Sequence, residues 1–67
     1  MNNKFAENLK KLRKEAGLTQ SRLADKTGLN QRKISYFEKG DIEPDLNTLI
    51  QLAKFFNVTT DYLLGVE

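Results

Sequence analysis

The chain has 67 residues, of which 39% are hydrophobic, and it contains no cysteine and no histidine. A domain of this size is near the lower limit for folding without metal or disulfide, so its core must be compact. The composition excludes thiol nucleophiles, imidazole bases, zinc fingers and disulfide frameworks, and the lack of cysteine fits a reducing compartment such as the cytoplasm.

Charge is distributed unevenly along the chain. Residues 1–39 hold ten Lys and Arg and four Asp and Glu, which gives a net charge of +6. Residues 40–67 hold one Lys and five Asp and Glu, which gives a net charge of −4. Together these values give the net charge of +2. This asymmetry predicts that one half of the domain faces a polyanion and that the other half is turned elsewhere.

The sequence predicts no enzyme, no cofactor and no membrane span. Ser21 and Ser35 have no histidine to activate them, and the four glycines separate helical segments without forming a phosphate loop. No apolar run approaches the roughly 20 residues that cross a bilayer, and no small-molecule site is evident.

The first predicted helix covers residues 4–16 and ends at Gly17. Its apolar side chains recur at the spacing of one helix face: Phe5, Leu9, Leu12 and Ala16. Arg13 lies at the edge of this stripe, so it is expected to meet a partner within the fold.

A short second helix is predicted over about residues 19–27. Thr19 is its expected N-cap, because a hydroxyl there can accept a backbone N–H that is otherwise unpaired. Leu23 and Ala24 face inward. Gly28 then supplies the positive φ that a sharp reversal requires.

The third helix is predicted over about residues 30–39, with Asn30 as its cap and Gly40 at its end. Ile34 and Phe37 define its buried side. The opposite side carries polar, aromatic and basic side chains that a core does not need: Arg32, Ser35, Tyr36 and Lys39.

Asp45 is the expected cap of a fourth helix that runs through Asn57. Its apolar stripe is predicted to contain Leu46, Leu49, Ile50, Ala53 and Phe56. Phe55 lies off this stripe and is expected to be exposed. A last short helix is predicted after Thr59 and stops at Gly65.

A short helix, a glycine turn and a second helix with a surplus polar face are typical of the DNA-binding helix-turn-helix. Several motifs of one known family recur here: LTQ at 18–20, LA at 23–24, Gly28, IS at 34–35, Glu38, Gly40, Pro44, TLIQLAKFFNV at 48–58 and DYLL at 61–64. On these motifs the sequence resembles the Cro and phage-repressor family, also called XRE or lambda-repressor-like, over about residues 4–65.

The resemblance implies one compact all-α, five-helix lambda-repressor-like domain over residues 1–67 with a central helix-turn-helix. The recognition helix is expected in the major groove of double-stranded DNA, usually with a homodimer on a pseudo-palindromic operator. The implied role is a bacterial or phage-encoded transcriptional repressor in the cytoplasm. The alternative is a protein-interaction module, such as an antitoxin or a polymerase-contacting regulator.

The resemblance assigns four residues of the third helix to base contacts: Gln31, Arg32, Ser35 and Tyr36. Glutamine can pair bidentately with adenine, and arginine with O6 and N7 of guanine. For Tyr36 two interpretations stand, because its ring either packs on a thymine methyl group or covers the edge of the core beside Phe37.

Phosphate contacts are implied for a second set of residues. Gln20, the first residue inside the second helix, matches a family glutamine that bonds a phosphate, where the helix N-terminus also favours an anion. Lys33 and Lys39 flank the base-reading face as flexible point charges. The remaining phosphate candidates are Thr19, Arg22 and Asn30.

Arg13 and Glu38 match a partly buried structural ion pair in the same family. The candidate dimer residues are Phe55, Leu64 and Val66, although Leu64 could equally complete the core. The chain could be complete at its last residue or could be the DNA-binding part of a longer repressor.

One segment departs from the family pattern. Where relatives often place basic residues in the loop after the recognition helix, this chain has Asp41, Ile42 and Glu43. Either backbone N–H groups contact the phosphates there, or the affinity of the monomer for DNA is reduced.

Overall fold

The computed structural model describes residues 3–66, so Met1, Asn2 and Glu67 of the predicted domain lie outside the described residues. Across residues 3–66 the chain forms five α-helices and no strand: α1 (Phe5–Glu15), α2 (Gln20–Thr27), α3 (Gln31–Lys39), α4 (Leu46–Phe56) and α5 (Thr60–Leu64). This architecture confirms the predicted all-α fold class and its order of helices.

Side-chain caps set the beginnings of α2 to α5. In each case an oxygen of the N-cap residue accepts a hydrogen bond from the backbone N–H three residues later, and these caps are Thr19, Asn30, Asp45 and Thr59. Such a bond satisfies one of the N–H groups that a helix leaves unpaired at its first turn. Each of the four caps was correctly predicted from the sequence.

The core lies where α3 packs against both α1 and α2, with α5 closing against α1 and α4. Phe5 of α1 and Phe37 of α3 meet edge to face, with ring centroids 5.5 Å apart at an interplanar angle of 80°. The largest fully buried side chains come from all five helices: Phe5, Phe37, Leu9, Leu23, Ile34, Leu52 and Leu63. The inward face of α3 therefore packs against several helices, and the predicted burial of Ile34 and Phe37 is confirmed.

The predicted stripe of α4 is partly wrong. Leu46 is 77% exposed and Ile50 is 43% exposed, whereas Thr48 and Leu52 are buried. Apolar residues cover more than half of the circumference of α4, so periodicity alone does not locate the centre of its buried side. Packing against α2 and α5 decides the orientation, and Thr48 N–H donates to Asp45 Oδ1 at 2.8 Å at the start of the helix.

The end of α1 also differs from the prediction. Ala16 is exposed, although the spacing of apolar residues placed it on the buried face. Helix α1 ends at Glu15, and Gly17 adopts a φ of 72° just beyond it. Ala16 keeps right-handed helical dihedrals and its N–H donates to Leu12 O at 3.0 Å, so its side chain continues the stripe of α1 but lies beyond the packed part of the helix.

The two ends of the domain meet at Gly65. Lys4 N–H donates to the carbonyl oxygen of Leu64 at 2.9 Å, and Asn8 Nδ2 donates to two further α5 carbonyls at 3.1 and 3.2 Å. Gly65 has a φ of 73°, and a Cβ atom on it would lie 2.8 Å from Cβ of Lys4. This position needs glycine both for its backbone conformation and for the close approach of α1.

Gly65→Ala is therefore expected to destabilise the fold more than Gly17→Ala does. Gly17 has nearly the same φ, 72°, but a Cβ atom there would meet nothing within 4 Å. The left-handed backbone costs an L-residue about 1–2 kcal/mol at either position, and only Gly65→Ala adds the steric conflict. Urea unfolding of both variants measures the difference, and equal losses of unfolding free energy would contradict the close approach.

Candidate nucleic-acid interface

Helices α2 and α3 are joined by a sharp turn over residues 28–30. Gly28 takes a φ of 74°, which favours glycine, and Leu29 packs against the core. Asn30 Oδ1 accepts from Lys33 N–H at 2.7 Å, so the first turn of α3 starts at a fixed place relative to α2. The two helices and this turn form a helix-turn-helix.

One face of α3 is turned to solvent. Gln31, Arg32 and Lys39 are exposed, and Tyr36 is 40% exposed although its neighbour Phe37 is fully buried. Lys39 Nζ lies 5.9 Å from the centre of the Tyr36 ring, within the range of a cation–π contact. The sequence left two interpretations of Tyr36 open, and its ring lies on the outward face beside a cation.

The other predicted contact residues differ in their exposure. Ser35 and Lys33 on α3 are half-buried, and Arg22 on α2 is exposed. Thr19 Oγ1 accepts from Arg22 N–H at 3.0 Å, so this hydroxyl caps α2. Among the predicted base and phosphate candidates, the structure shows side-chain contacts between Gln20 and Gln31 and between Tyr36 and Lys39.

Hydrogen bonds between side chains connect this surface to the interior. Gln20 Nε2 donates to Glu38 Oε1 at 3.1 Å, and Gln31 Nε2 donates to Gln20 Oε1 at 2.7 Å. Gln20 is half-buried, whereas Gln31 is exposed. Gln20 therefore joins the beginning of α2 to both ends of α3.

The chain of bonds begins at Arg13, which is only 8% exposed. Its Nε donates to Glu38 Oε2 at 2.6 Å and its Nη2 to Glu38 Oε1 at 3.0 Å, a bidentate ion pair that joins α1 to α3. Nη1 donates to Leu18 O at 2.8 Å. The hydrogen bonds to Glu38 raise the pKa of the Arg13 guanidinium above its ordinary value, although burial opposes this shift.

The two glutamine bonds were not predicted from the sequence. Gln20, Gln31 and Glu38 lie on two different helices, so the distances between them depend on how α2 and α3 pack. No periodic pattern encodes such a distance. The nearest signal was the resemblance, which assigned each of the three residues a role but did not connect them.

The loop between α3 and α4 is acidic and exposed. Asp41, Ile42 and Glu43 are all exposed, and Asp41 N–H donates to Tyr36 O at 3.0 Å, which holds the loop against the end of α3. Hydrogen bonds from Thr48 lower the pKa of the Asp45 carboxyl, with a smaller contribution from the charge of Lys33. Negative charge thus lies beside the end of α3, at Asp41, and near Lys33 in its first turn, at Asp45.

Several apolar side chains remain exposed away from α3. Among the predicted dimer residues, Phe55 and Val66 are exposed, whereas Leu64 is half-buried and packs against the core. Phe55 meets Phe56 edge to face at 5.0 Å. Further exposed apolar residues were not among the predicted dimer contacts: Ile42, Leu46, Ile50 and Tyr62.

The candidate site is a surface. Among residues 3–66 no pocket is found, and no group of three or more His, Cys, Asp and Glu side chains could hold a metal ion. No helix in this range is both long and apolar enough to cross a membrane.

Comparison with known protein families agrees with this geometry. The profile of a helix-turn-helix family matches residues 9–63, which include all of α2, α3 and α4. The chain belongs to this helix-turn-helix family. A relative within it, an uncharacterised HTH-type transcriptional regulator of Bacillus subtilis (strain 168), is 47% identical over 63 residues, covering 94% of this chain and 54% of the relative.

Two solved structures extend the comparison. A transcriptional regulator from Listeria innocua is 37% identical with a TM-score of 0.88, and the alignment covers 97% of this chain and 61% of that protein. The P22 c2 repressor, solved in complex with a synthetic operator, is 28% identical with a TM-score of 0.86, with coverage of 94% and 96%. The helix-turn-helix of this chain thus has the fold of a repressor that binds an operator.

The curated relatives are longer than this chain. The chain spans about half the length of the first three of them: 54%, 50% and 56%. The similarity therefore concerns the helix-turn-helix part of those proteins.

Arg13→Met is expected to lower the free energy of unfolding by about 3–5 kcal/mol, because it leaves the buried Glu38 carboxylate without its partner. The same change at Arg22, an exposed residue of α2, is the matched control and should alter stability by about 0.5 kcal/mol or less. Urea unfolding measures both, and an Arg13→Met protein as stable as Arg22→Met would refute the structural role of the pair.

Proposed function

We propose that this chain is the DNA-binding part of a transcriptional regulator, most simply a repressor, and that α3 reads operator DNA in the major groove. The observation that supports this proposal is the polar, exposed face of α3 in a helix-turn-helix similar to that of the operator-bound P22 c2 repressor. A core does not need such a face, and a B-DNA major groove admits an α-helix.

Base reading falls to the first two residues of α3. Gln31 and Arg32 are exposed and follow the Asn30 cap directly, so both side chains leave the end of the helix that enters the groove first. Arg32 can donate two hydrogen bonds to O6 and N7 of guanine, and Gln31 can pair with adenine. Ser35 and Tyr36, one turn further on, complete the proposed reading face.

Backbone contacts are proposed at the edges of this face. Gln20 begins α2, where unpaired N–H groups and the helix dipole favour a phosphate. Its Nε2 has two hydrogens, of which Glu38 accepts one, so the other is available for a phosphate oxygen. Lys33 and Lys39 supply point charges, and Thr19, Arg22 and Asn30 are further candidates around the first turns of α2 and α3.

Two copies of the chain are proposed to bind one operator. A helix-turn-helix dimer reads two half-sites about one helical turn apart. Phe55 and Val66 are exposed apolar side chains suited to such a contact, and Leu64 contributes from the edge of the core. The whole protein would act in the cytoplasm, where its DNA target lies.

A protein-interaction role, such as that of an antitoxin or of a regulator that contacts polymerase, is the second candidate. The observation that favours it is the acidic loop with Ile42 exposed at its centre and Leu46 exposed soon after it. This negative charge would repel phosphates, whereas it would attract a basic protein surface. Duplex DNA binding at moderate salt separates the two candidates.

Selection of bound duplexes from a random pool tests the proposed function. We expect enrichment of a pseudo-palindrome with half-site centres about one helical turn apart. The enriched duplex is then titrated with salt beside a scrambled duplex of equal length. Absence of enrichment, with equal and steeply salt-dependent binding of both duplexes, would leave only electrostatic attraction and would reject sequence-specific recognition.

Arg32→Ala is expected to relax the preference at one base pair and to weaken operator binding by about 1–3 kcal/mol, because a bidentate base contact is lost. Arg22→Ala provides a control on α2, since a lost phosphate contact weakens all duplexes alike and reduces the salt slope by about one. Titration of single-base operator variants measures the base preference. Titration of the operator at several salt concentrations measures the salt slope. Unchanged base preference in Arg32→Ala would remove Arg32 from the reading face.

A further inference from the structure

Tyr36 places an aromatic ring on the outward face of α3. This residue is 40% exposed, so more than half of its surface is covered by the protein, and the adjacent Phe37 is fully buried. Lys39 Nζ lies over the ring, 5.9 Å from its centre. Because tyrosine has only two side-chain torsion angles and this ring already has neighbours, a further contact costs little conformational entropy. The exposed part of the ring is therefore an apolar surface with a defined position.

The ring lies one helical turn beyond Arg32, a residue proposed to read a base. Residues four apart share a face of an α-helix and are separated by about 6 Å along its axis, since each residue rises about 1.5 Å. Successive base pairs of DNA are about 3.4 Å apart. The ring of Tyr36 would thus reach a base roughly two pairs from the one read by Arg32.

The major groove contains one apolar group that such a ring can contact. Most base edges present hydrogen-bond donors and acceptors, whereas thymine also carries a methyl group at C5. An aromatic ring that packs on this methyl group gains free energy by removing it from water. 5-Methylcytosine carries the same group at the same ring position, so it offers Tyr36 an equivalent contact.

The charge around Tyr36 also favours an apolar contact over a phosphate contact. Asp41 N–H donates to the carbonyl oxygen of Tyr36 at 3.0 Å, so the acidic loop begins directly beside this residue. Asp41 and Glu43 are both exposed. Their charges repel a phosphate near the ring, whereas a methyl group carries no charge and is not repelled.

We propose that Tyr36 is a specificity-determining residue whose ring packs on the C5 methyl group of a pyrimidine, either thymine or 5-methylcytosine. This inference rests on the proposed function, since it names the chemical group that one residue of the reading face recognises. An unmethylated cytosine at the same position lacks this group. Operator binding therefore depends on cytosine methylation at that base pair.

Uracil substitution in the selected operator tests the proposal, because uracil differs from thymine only by the absence of the methyl group. Each thymine is replaced singly, and the affinity of the unaltered protein is measured. We expect a loss of about fourfold at a thymine within about two base pairs of the pair at which Arg32→Ala loses its preference, since burying one methyl group corresponds to about this factor. Insensitivity at every thymine would overturn the proposal.

Cytosine and 5-methylcytosine, each paired with guanine, are then compared at the same position. Methylation should strengthen binding by about fourfold, again the factor expected for one buried methyl group. This comparison separates the two sources of the methyl group. Equal affinity for the two cytosines would overturn the dependence on methylation.

Variants of Tyr36 connect the methyl group to this ring. Uracil should cause no loss in Tyr36→Ser, whereas Tyr36→Phe keeps the ring and should keep the loss. Tyr62→Ser is the matched control, because Tyr62 is 39% exposed but lies on α5, and it should also keep the loss. If Tyr36→Ser still distinguishes uracil from thymine, another residue contacts the methyl group and the assignment is wrong.

These outcomes are distinct from failure of the proposed function. Absence of an enriched operator would reject sequence-specific binding and this inference together. An enriched operator that tolerates uracil at every thymine would reject only the role of Tyr36. If Tyr36→Ser does not fold, the position of the sensitive thymine decides, and sensitivity found only far from the base pair assigned to Arg32 overturns the proposal.

Discussion

The fixed orientation of α3 is the constraint on which the rest of the structure depends. Ile34 and Phe37 are fully buried in the core, and Glu38 is bound by Arg13 from α1. The second half of this nine-residue helix is thus anchored from one side. A helix held in this way cannot roll about its axis, so the side chains opposite the anchor keep their direction. Arg32 and Tyr36 are exposed because Ile34 and Phe37 are not.

The ion pair of Arg13 and Glu38 contributes to geometry more clearly than to stability. Removing two charges from water costs free energy that their attraction roughly offsets, so apolar replacements in other proteins are often as stable. An apolar pair of side chains could not make directed hydrogen bonds. The guanidinium fork holds both carboxylate oxygens, donates to Leu18 O in the segment that leads to α2, and leaves Glu38 Oε1 to accept from Gln20.

Features that depend on neighbouring residues were predicted correctly from the sequence. Features that depend on packing between residues far apart in the chain were not. Caps such as Thr19 and Asn30 act over three residues, so their chemistry is readable in the chain itself. The burial of Leu46 was wrongly predicted because α4 is apolar around much of its circumference, and its contacts with α2 and α5 choose the buried side. The bond from Gln31 to Gln20 was missed for the same reason, since it depends on how two helices pack.

The acidic loop changes how such a surface would recognise DNA. Asp41 and Glu43 lie exposed beside the C-terminal end of α3, whereas Gln31 and Arg32 lie at its other end. Attraction to phosphates is independent of sequence, so negative charge at the edge of the interface reduces binding to every duplex alike. That charge does not distinguish one base pair from another. A larger share of the total affinity would then come from the residues at the beginning of α3, and the orientation of each amide and guanidinium there would matter correspondingly more.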